Sequence, residues 1–585
     1  MKDTIRIWRS PHSDFATDYD TDLMDETCTA VDVYTDEELS GIAKNGFNGI
    51  WVHAVPHHIV SALPFSELGK NAKTHQKKVN ELIAHAAKYG IDVYFYLQMP
   101  RAVPLSETEF WENHPDCGGT MYESKNARSL CVSVPRVREW IENVSREITE
   151  TMPGLGGLFL ITASEMPAHC YSHRQRKNDP HFAIRCPRCG EREPAGIVTD
   201  IILAMHRGIR SKSSSFEFIL WDWGWDMWGY LPPYRKILDN LPSDFTLMTT
   251  FEIGGSLDLW KHPRMLINEY SLIFPGPSDK CVVMKGYADR RGMRSIAKLQ
   301  IGTTHELATV VSLPLMDSVY KKAVRLNRMG FDGFVGCWNF GNFYSANTVG
   351  FTRFLTLKRT ENEKNELASF ASDYFPGCDG TKTTGAWAAF GKAMLSYPFS
   401  MPFLYNSPAN YTLGYHEIYE RGSLSGISCG PSHLDAVRGD DLSRSVVCDT
   451  DNGLLPENMF PLDEVIEHLE HLAEHWDKAA ELFAEAVSGS NSEHAELELN
   501  NIRLIGTIWH SLVNTYKAYR LRLNWNAGSE KKLSALARKE LRILEKALVF
   551  TEKDRRQGFH PEAHARLFSP DHIRRKMDRL KMLYS

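Results

Sequence analysis

The chain lacks the charge that would hold a nucleic acid. Its 67 Lys and Arg are outnumbered by 73 Asp and Glu, and a net charge of −6 supplies no broad cationic field for a phosphate backbone or an anionic bilayer. It also lacks a bilayer-spanning segment, since no stretch approaches about 20 uninterrupted apolar residues. The opening MKDTIRIWRSPHSDF has no apolar run of the signal-peptide kind. Together these absences predict a soluble, cytoplasmic protein that binds neither nucleic acid nor membrane. Cysteine is sparse and odd in number, 11 in 585 residues, and Cys337 sits inside the apolar run GFVGCWNF. Reduced thiols are therefore expected rather than a disulfide framework. A neutral or mildly charged small substrate fits the balance of charge, and a homo-oligomer is compatible with it.

What is present is a repeated alternation of short β-rich runs with longer amphipathic segments, which is the pattern of βα units and a parallel sheet. The strand candidates are IRIW from Ile5, GIWVHA from Gly49, DVYFYLQ from Asp92, GLFLITASE from Gly157, FEFILWDW from Phe216, FTLMTTFE from Phe245, AKLQIGTTHE from Ala297 and GFVGCWNF from Gly333. Eight such strands predict a (β/α)8 TIM barrel over residues 1–350. The intervening TDEELSGIAKNGFN carries a Thr cap, a Glu three residues later and a glycine stop, as a crossover helix requires.

Beyond residue 350 the texture changes. A helical and loop-rich segment, 351–455, is expected to border the active site through the aromatic stretch around Tyr405–Tyr415, because exposed Tyr and Phe need somewhere to pack. Residues 456–585, with apolar positions at helical spacing in PLDEVIEHLEHLAEHWDKAAELFAEAV, predict a C-terminal helical domain.

Barrel enzymes place their chemistry at the C-terminal strand ends. Those ends here carry His53, Gln98, Arg101, Glu165, Asp222, Glu252, His305, Glu306, Trp338 and Asn339. Cleavage of a glycosidic bond needs a proton for the departing oxygen and a carboxylate facing the developing oxocarbenium ion, and Glu165 and Glu306 offer one candidate for each. A rim salt bridge or helix cap is the alternative for either glutamate. Glu252 competes for both roles or orients a catalytic group.

With SLCVSVPRVREWI before the fourth strand, Glu165 after it and Trp338 at the end of the eighth, the sequence resembles the clan of (β/α)8-barrel retaining glycoside hydrolases. That clan carries its acid/base after strand four and its nucleophile after strand seven. EYSLIFPGPSD and AKLQIGTTHE are similar to a poorly characterised branch of bacterial glycosidase-like proteins. The resemblance implies Glu165 as acid/base, Glu306 as nucleophile and Trp338 as a sugar-stacking ring. Many clan members place Asn before the acid/base, where this chain has Ser164.

Two further clusters stand out. WDWGWDMWGY packs Trp221, Trp223, Trp225 and Trp228 beside Asp222 and Asp226, a density suited to a sugar subsite, with core packing and helix capping as the alternatives. HCYSHRQRKNDPHFAIRCPRCG holds Cys170, His173, Cys186 and Cys189, with Cys117 upstream in HPDCGG. Two thiols separated by two residues, with a third sulfur nearby, match tetrahedral structural zinc, with Cys117 or His173 as fourth ligand. An incidental or redox-active CxxC is the alternative. Family 42 β-galactosidases are similar in carrying a cysteine zinc site after strand four. His53, His57 and His58 crowd near strand two, where hydrogen bonding to sugar hydroxyls suits them better than a catalytic metal.

The reading is a retaining, exo-acting glycoside hydrolase on oligosaccharides or glycoconjugates, with no cofactor needed for catalysis. The substrate contacts expected are His53, Arg101, Trp221, Asp222, Trp223, Trp225, Glu252, His305, Trp338 and Asn339. The alternatives are a substrate-assisted N-acetylhexosaminidase, against which Ser164–Glu165 replaces the usual Asp–Glu pair, and a non-catalytic carbohydrate-binding barrel.

Overall fold

A computed structural model describes residues 4–13, 25–164, 166–172, 186–228, 235–357, 362–423, 442–446 and 460–584. Its central element is a closed barrel of eight parallel strands. They are β1 Ile5–Trp8, β2 Gly49–His53, β3 Asp92–Leu97, β4 Gly157–Ile161, β5 Glu217–Trp221, β6 Thr246–Thr250, β7 Arg294–Lys298 and β8 Gly333–Val335. Each pairs with its neighbours in chain order, and the ring closes where Ile5 lies opposite Gly333. Strands β2, β4, β5 and β6 are buried at every position. That is why β2, β4 and β5 read as largely apolar runs rather than as alternation, while β6 carries three buried threonines.

The seventh strand differs from the expectation. Its register runs from Arg294 opposite Thr246 to Lys298 opposite Thr250. The strand therefore starts before Ala297 and ends well short of Glu306. Residues 299–306 are nonetheless buried throughout. A buried loop carries the same apolar bias as a buried strand, so composition extends the strand where hydrogen bonding does not.

Helices return the chain between strands. In the first crossover, α1 Glu26–Val33 is followed by α2 Asp36–Lys44, whose cap Thr35 accepts from the Glu38 backbone N–H as the Thr-x-x-Glu pattern requires. Gly46, at φ +82°, turns the chain toward β2 in a conformation that a side chain would strain. Helix α3, Pro135–Thr151, buries Val137, Trp140, Ile141, Val144 and Ile148 at helical spacing and packs on α4, Pro194–Arg210. The two approach so closely at Gly208 that an added Cβ would lie 2.1 Å from the Glu142 carbonyl oxygen.

By contact density the chain forms two compact units. The first is Met1–Thr250, Val282–Lys298 and Phe331–Val335, and it contains all eight barrel strands. The second is Phe251–Cys281, Leu299–Gly330 and Gly336–Ser585. Within the second lie a hairpin of Gly255–Leu259 and His262–Ile267, helix α5 Met316–Arg328, and α6 Gly380–Met394. It also holds the long helices α7 Leu462–Ala486, α8 Glu493–Leu523, α9 Ser529–Lys553 and α10 Pro570–Tyr584. Helices α6 to α10 pack successively, α6 on α7 through to α9 on α10. The α7 face Val465, Leu469, Leu472, Trp476, Ala479 and Phe483 is buried, so the C-terminal helices form by covering one another's apolar stripes.

Candidate functional site

In the barrel unit, the strand ends present polar side chains that solvent barely reaches: His53 at 0 %, Gln98 and Arg101 at 1 %, Ser164 at 3 % and Asp222 at 0 % exposed. His53 closes β2. Its backbone N–H donates to Glu26 Oε2 at 2.8 Å, and Glu26 in turn pairs with the buried Arg9, whose guanidinium lies 3.6 Å over the Trp51 ring. The imidazole stacks on Tyr96 at 4.9 Å. Burial first, and the neighbouring Arg101 charge second, hold His53 neutral, well below the usual histidine range. His57 and His58 lie in the short helix Pro56–Ile59, where His57 is likewise held neutral by burial and His58 Nδ1 meets Asp25 Oδ2 at 2.9 Å.

After β3, Arg101 NH1 donates to Gln98 Oε1, and Gln98 Nε2 donates to Ser164 Oγ at 2.5 Å and to Tyr96 Oη at 2.6 Å. Arg101 takes φ +63°, a left-handed backbone that turns the chain at the strand end. Ser164 Oγ also accepts from the Met166 N–H at 3.0 Å. Ser164 thus links the β3 and β4 ends. Glu165 lies outside the described residues.

The tryptophan-rich turn after β5 divides. Trp221 is 0 % exposed and donates from Nε1 to Thr250 Oγ1 at 3.2 Å, and Trp225 is 1 % exposed and donates to Thr162 Oγ1 at 2.7 Å. Both rings are packed with their N–H groups satisfied, which is the core-packing alternative rather than an open stacking platform. Trp223 stays half-buried, as does Trp228, whose Nε1 donates to the Tyr171 carbonyl at 3.2 Å. Asp222 is ordered by Thr249, whose hydroxyl donates to Oδ2 at 2.8 Å.

In the second unit the carboxylates are equally buried. Glu306 Oε1 accepts from Ser271 Oγ at 2.7 Å and from the Leu272 and Ile273 N–H groups at 2.9 and 3.2 Å, and Oε2 accepts from Thr304 Oγ1. Glu252, two residues past the end of β6, accepts on Oε1 from the Gln300 N–H at 2.9 Å and from Lys322 Nζ. Its Oε2 is buried and finds no hydrogen-bond partner among the described residues. His305 packs edge-on to Phe340 at 4.3 Å and against Tyr270 and Tyr405, each at 5.6 Å. Tyr405 belongs to the aromatic stretch read from the sequence, and Asn410 of that stretch accepts from the Ala308 N–H at 2.8 Å. Trp338 and Asn339 follow β8 and are half-buried.

The cysteine cluster lies in the barrel unit with a corrected membership. Cys131, Cys170, Cys186 and Cys189 place their Sγ atoms within 4.8 Å of one another, all four buried. Cys131 Sγ is 3.5 Å from both Cys186 and Cys189. Tetrahedral zinc with sulfur at about 2.3 Å sets sulfurs about 3.8 Å apart, so this donor set fits the ion. Cys117 is not a member: its Sγ faces Asp116 at 3.7 Å, and its carbonyl accepts from the Cys131 N–H at 2.8 Å. His173 lies outside the described residues. The Cys131 thiol is held well below the ordinary thiol range by sulfur hydrogen bonds from Cys170, Cys186 and Cys189, and Arg188 Nε lies 3.3 Å from its sulfur. Ser133 Oγ, 3.4 Å from Cys189 Sγ, adds a polar neighbour of the kind that orients metal ligands. Gly119 leaves room, since a Cβ there would lie 2.4 Å from Cys170 Sγ. Cys131 escaped the sequence reading because it sits at the end of a short strand, Ala127–Leu130, far from the CxxC, with no local spacing to mark it.

No family model matches the sequence, and no curated protein matches it. Among solved structures the fold is similar to that of a GH138 enzyme targeting pectin rhamnogalacturonan II, with a TM-score of 0.56 and 12 % identity over 99 % of this chain and 67 % of that one. A Thermobaculum terrenum O-GlcNAc hydrolase mutant matches with a TM-score of 0.40 and 11 % identity, over 99 % of this chain and 94 % of that one. At such identities the first likeness is one of fold.

Proposed function

We propose that this protein is a retaining glycoside hydrolase that releases a sugar from oligosaccharides or glycoconjugates, with Glu165 as acid/base and Glu306 as nucleophile. The observation that carries the reading is the set of buried polar side chains at the C-terminal strand ends, His53, Gln98, Arg101, Ser164 and Asp222. Burying polar groups carries a desolvation cost that hydrogen bonds, among themselves or to a bound ligand, must offset, and this end of a (β/α)8 barrel is where such enzymes react. The shared fold of the GH138 enzyme is consistent with a carbohydrate substrate.

In this mechanism Glu165 protonates the leaving oxygen while a carboxylate attacks the anomeric carbon. Glu165 then deprotonates the water that releases the sugar. His53, held neutral, can donate or accept a hydrogen bond to a hydroxyl, and Arg101 and Asp222 offer a donor and an acceptor. Trp223, Trp338, Asn339 and His305 are the further contacts we assign. The four cysteines would hold a structural zinc that braces the segments around Glu165 and takes no part in the reaction.

A second reading exchanges the nucleophile. Both oxygens of Glu306 are occupied by donors from residues 271–273 and 304, whereas Glu252 sits just past a strand end with one oxygen unpartnered among the described residues. Screening aryl glycosides with Glu165→Gln, Glu252→Gln and Glu306→Gln variants decides. Loss of turnover by about 10²–10⁴-fold in Glu165→Gln is expected for the acid/base. Azide rescue of a glycine variant with an inverted glycosyl azide identifies the nucleophile, and wild-type rates in all three variants sink the proposal.

A further inference from the structure

We propose a second cation site, for a transition-metal dication of the Zn2+ kind, formed by His262 Nε2, Glu464 Oε1 and His468 Nε2. All three residues belong to the second unit, and one ligand atom from each lies within 4.8 Å of the others. His262 opens the second strand of the hairpin, and Glu464 and His468 stand one turn apart in the first two turns of α7. An i,i+4 spacing puts both side chains on one face, which is how a helix offers two ligands to one ion.

The decisive atom is His468 Nε2. The imidazole is 0 % exposed, and its other nitrogen, Nδ1, lies 3.1 Å from the Ser396 carbonyl oxygen. A carbonyl only accepts, so the proton sits on Nδ1 and Nε2 presents a lone pair. That lone pair is buried, has no hydrogen-bond partner among the described residues, and faces the Glu464 carboxylate at 4.0 Å. His468 Nε2 and Glu464 Oε1 are two electron-pair donors with no proton between them, and His262 Nε2, which reaches the same oxygen, completes a set of three that one shared cation would satisfy. A histidine whose far nitrogen donates to a backbone carbonyl is also the arrangement that fixes a metal-binding imidazole in the required tautomer.

The surroundings hold the ligands still. Phe460 packs edge-on to both imidazoles, at 4.8 Å from His262 and 5.2 Å from His468, and Trp260 lies 5.0 Å from His468. His262 Nε2 already reaches the Glu464 carboxylate. Their side chains are 31 % and 26 % exposed, which leaves a path for the ion from solvent and positions for water ligands. The imidazole, imidazole and carboxylate set suits zinc and its divalent neighbours over calcium or magnesium. Bound there, the ion clamps the hairpin to the start of α7.

The test is calorimetric titration of Zn2+ into the full-length protein, purified under reducing conditions with the four-cysteine cluster left as isolated. One further equivalent is expected to bind in the wild type and to raise Tm. His262→Ala and Glu464→Gln each weaken that binding by at least about 10-fold. His262 lies at the partly exposed rim, so its variant keeps the test readable where a His468 variant fails to fold. Titration with Co2+ separates the two sites, because a thiolate-to-cobalt charge-transfer band reports only the cysteines. No uptake beyond the cysteine cluster, or an extra equivalent unchanged in both variants, overturns the proposal.

Discussion

Glu252 and Lys322 form an ion pair in which neither side chain reaches solvent, and Lys322 also donates to the Ser271 carbonyl at 2.7 Å. Burial lowers the Lys322 pKa against the pull of the Glu252 charge. Removing one partner of such a pair strands the other without solvation. Lys322→Met is expected to cost about 3–5 kcal/mol in urea unfolding, and Lys322→Met with Glu252→Gln to recover most of it. A single variant as stable as the wild type would mean that the pair is not buried in solution.

Glu498 supplies a pH dependence with a defined sign. Burial raises its pKa to about 7, from an ordinary 4.5, and the Arg556 charge only partly opposes the shift. Between these values the folded state binds more protons than the unfolded state, so this residue's contribution to stability falls as pH rises from about 4.5 to 7. The full excursion is about 3 kcal/mol. Glu498→Gln should flatten that part of the stability profile and be the more stable protein at pH 8, as read from denaturant midpoints at several pH values.

Cysteine membership is tested by metal content. Cys131→Ser is expected to lose the zinc proposed for the cluster and to unfold at lower temperature. Cys117→Ser should keep it, because Cys117 offers the cluster only a backbone carbonyl to Cys131. Elemental analysis of the two purified variants is sufficient, and equal zinc in both would return the fourth ligand to open question.

The crossing of α3 and α4 depends on the absence of a side chain at Gly208. A methyl there meets the Glu142 carbonyl oxygen, part of a helix backbone with little room to yield. Gly208→Ala should therefore destabilise by about 1–3 kcal/mol despite the better helix propensity of alanine. A Tm at or above the wild-type value would show that the helices part easily.

The barrel was legible because each strand is short and bounded by polar turns: five start at the residue where the run begins, β5 and β6 start one residue later, and β7 starts earlier, at Arg294. Its far end was misjudged for a physical reason: Leu299 to Glu306 is as buried as a strand while making loop hydrogen bonds. Thr35 could be read as a cap because the interaction is local. Cys131 could not be read as a ligand, because what brings it to Cys186 and Cys189 is folding over more than fifty residues. The tryptophans show the same limit from the other side. Their number was visible, but only packing separates Trp221 and Trp225 in the interior from the half-buried Trp223.

The two units are interleaved along the chain: Phe251–Cys281 and Leu299–Gly330 belong with the C-terminal helices, while the strands that follow them belong to the barrel. A chain ended at residue 350 would retain every barrel strand yet leave those two excursions without most of the unit they belong to. The C-terminal helices are therefore not a module to be trimmed or grafted. Recombination with a relative would have to exchange three separate stretches of gene at once, so both units inherit their changes together.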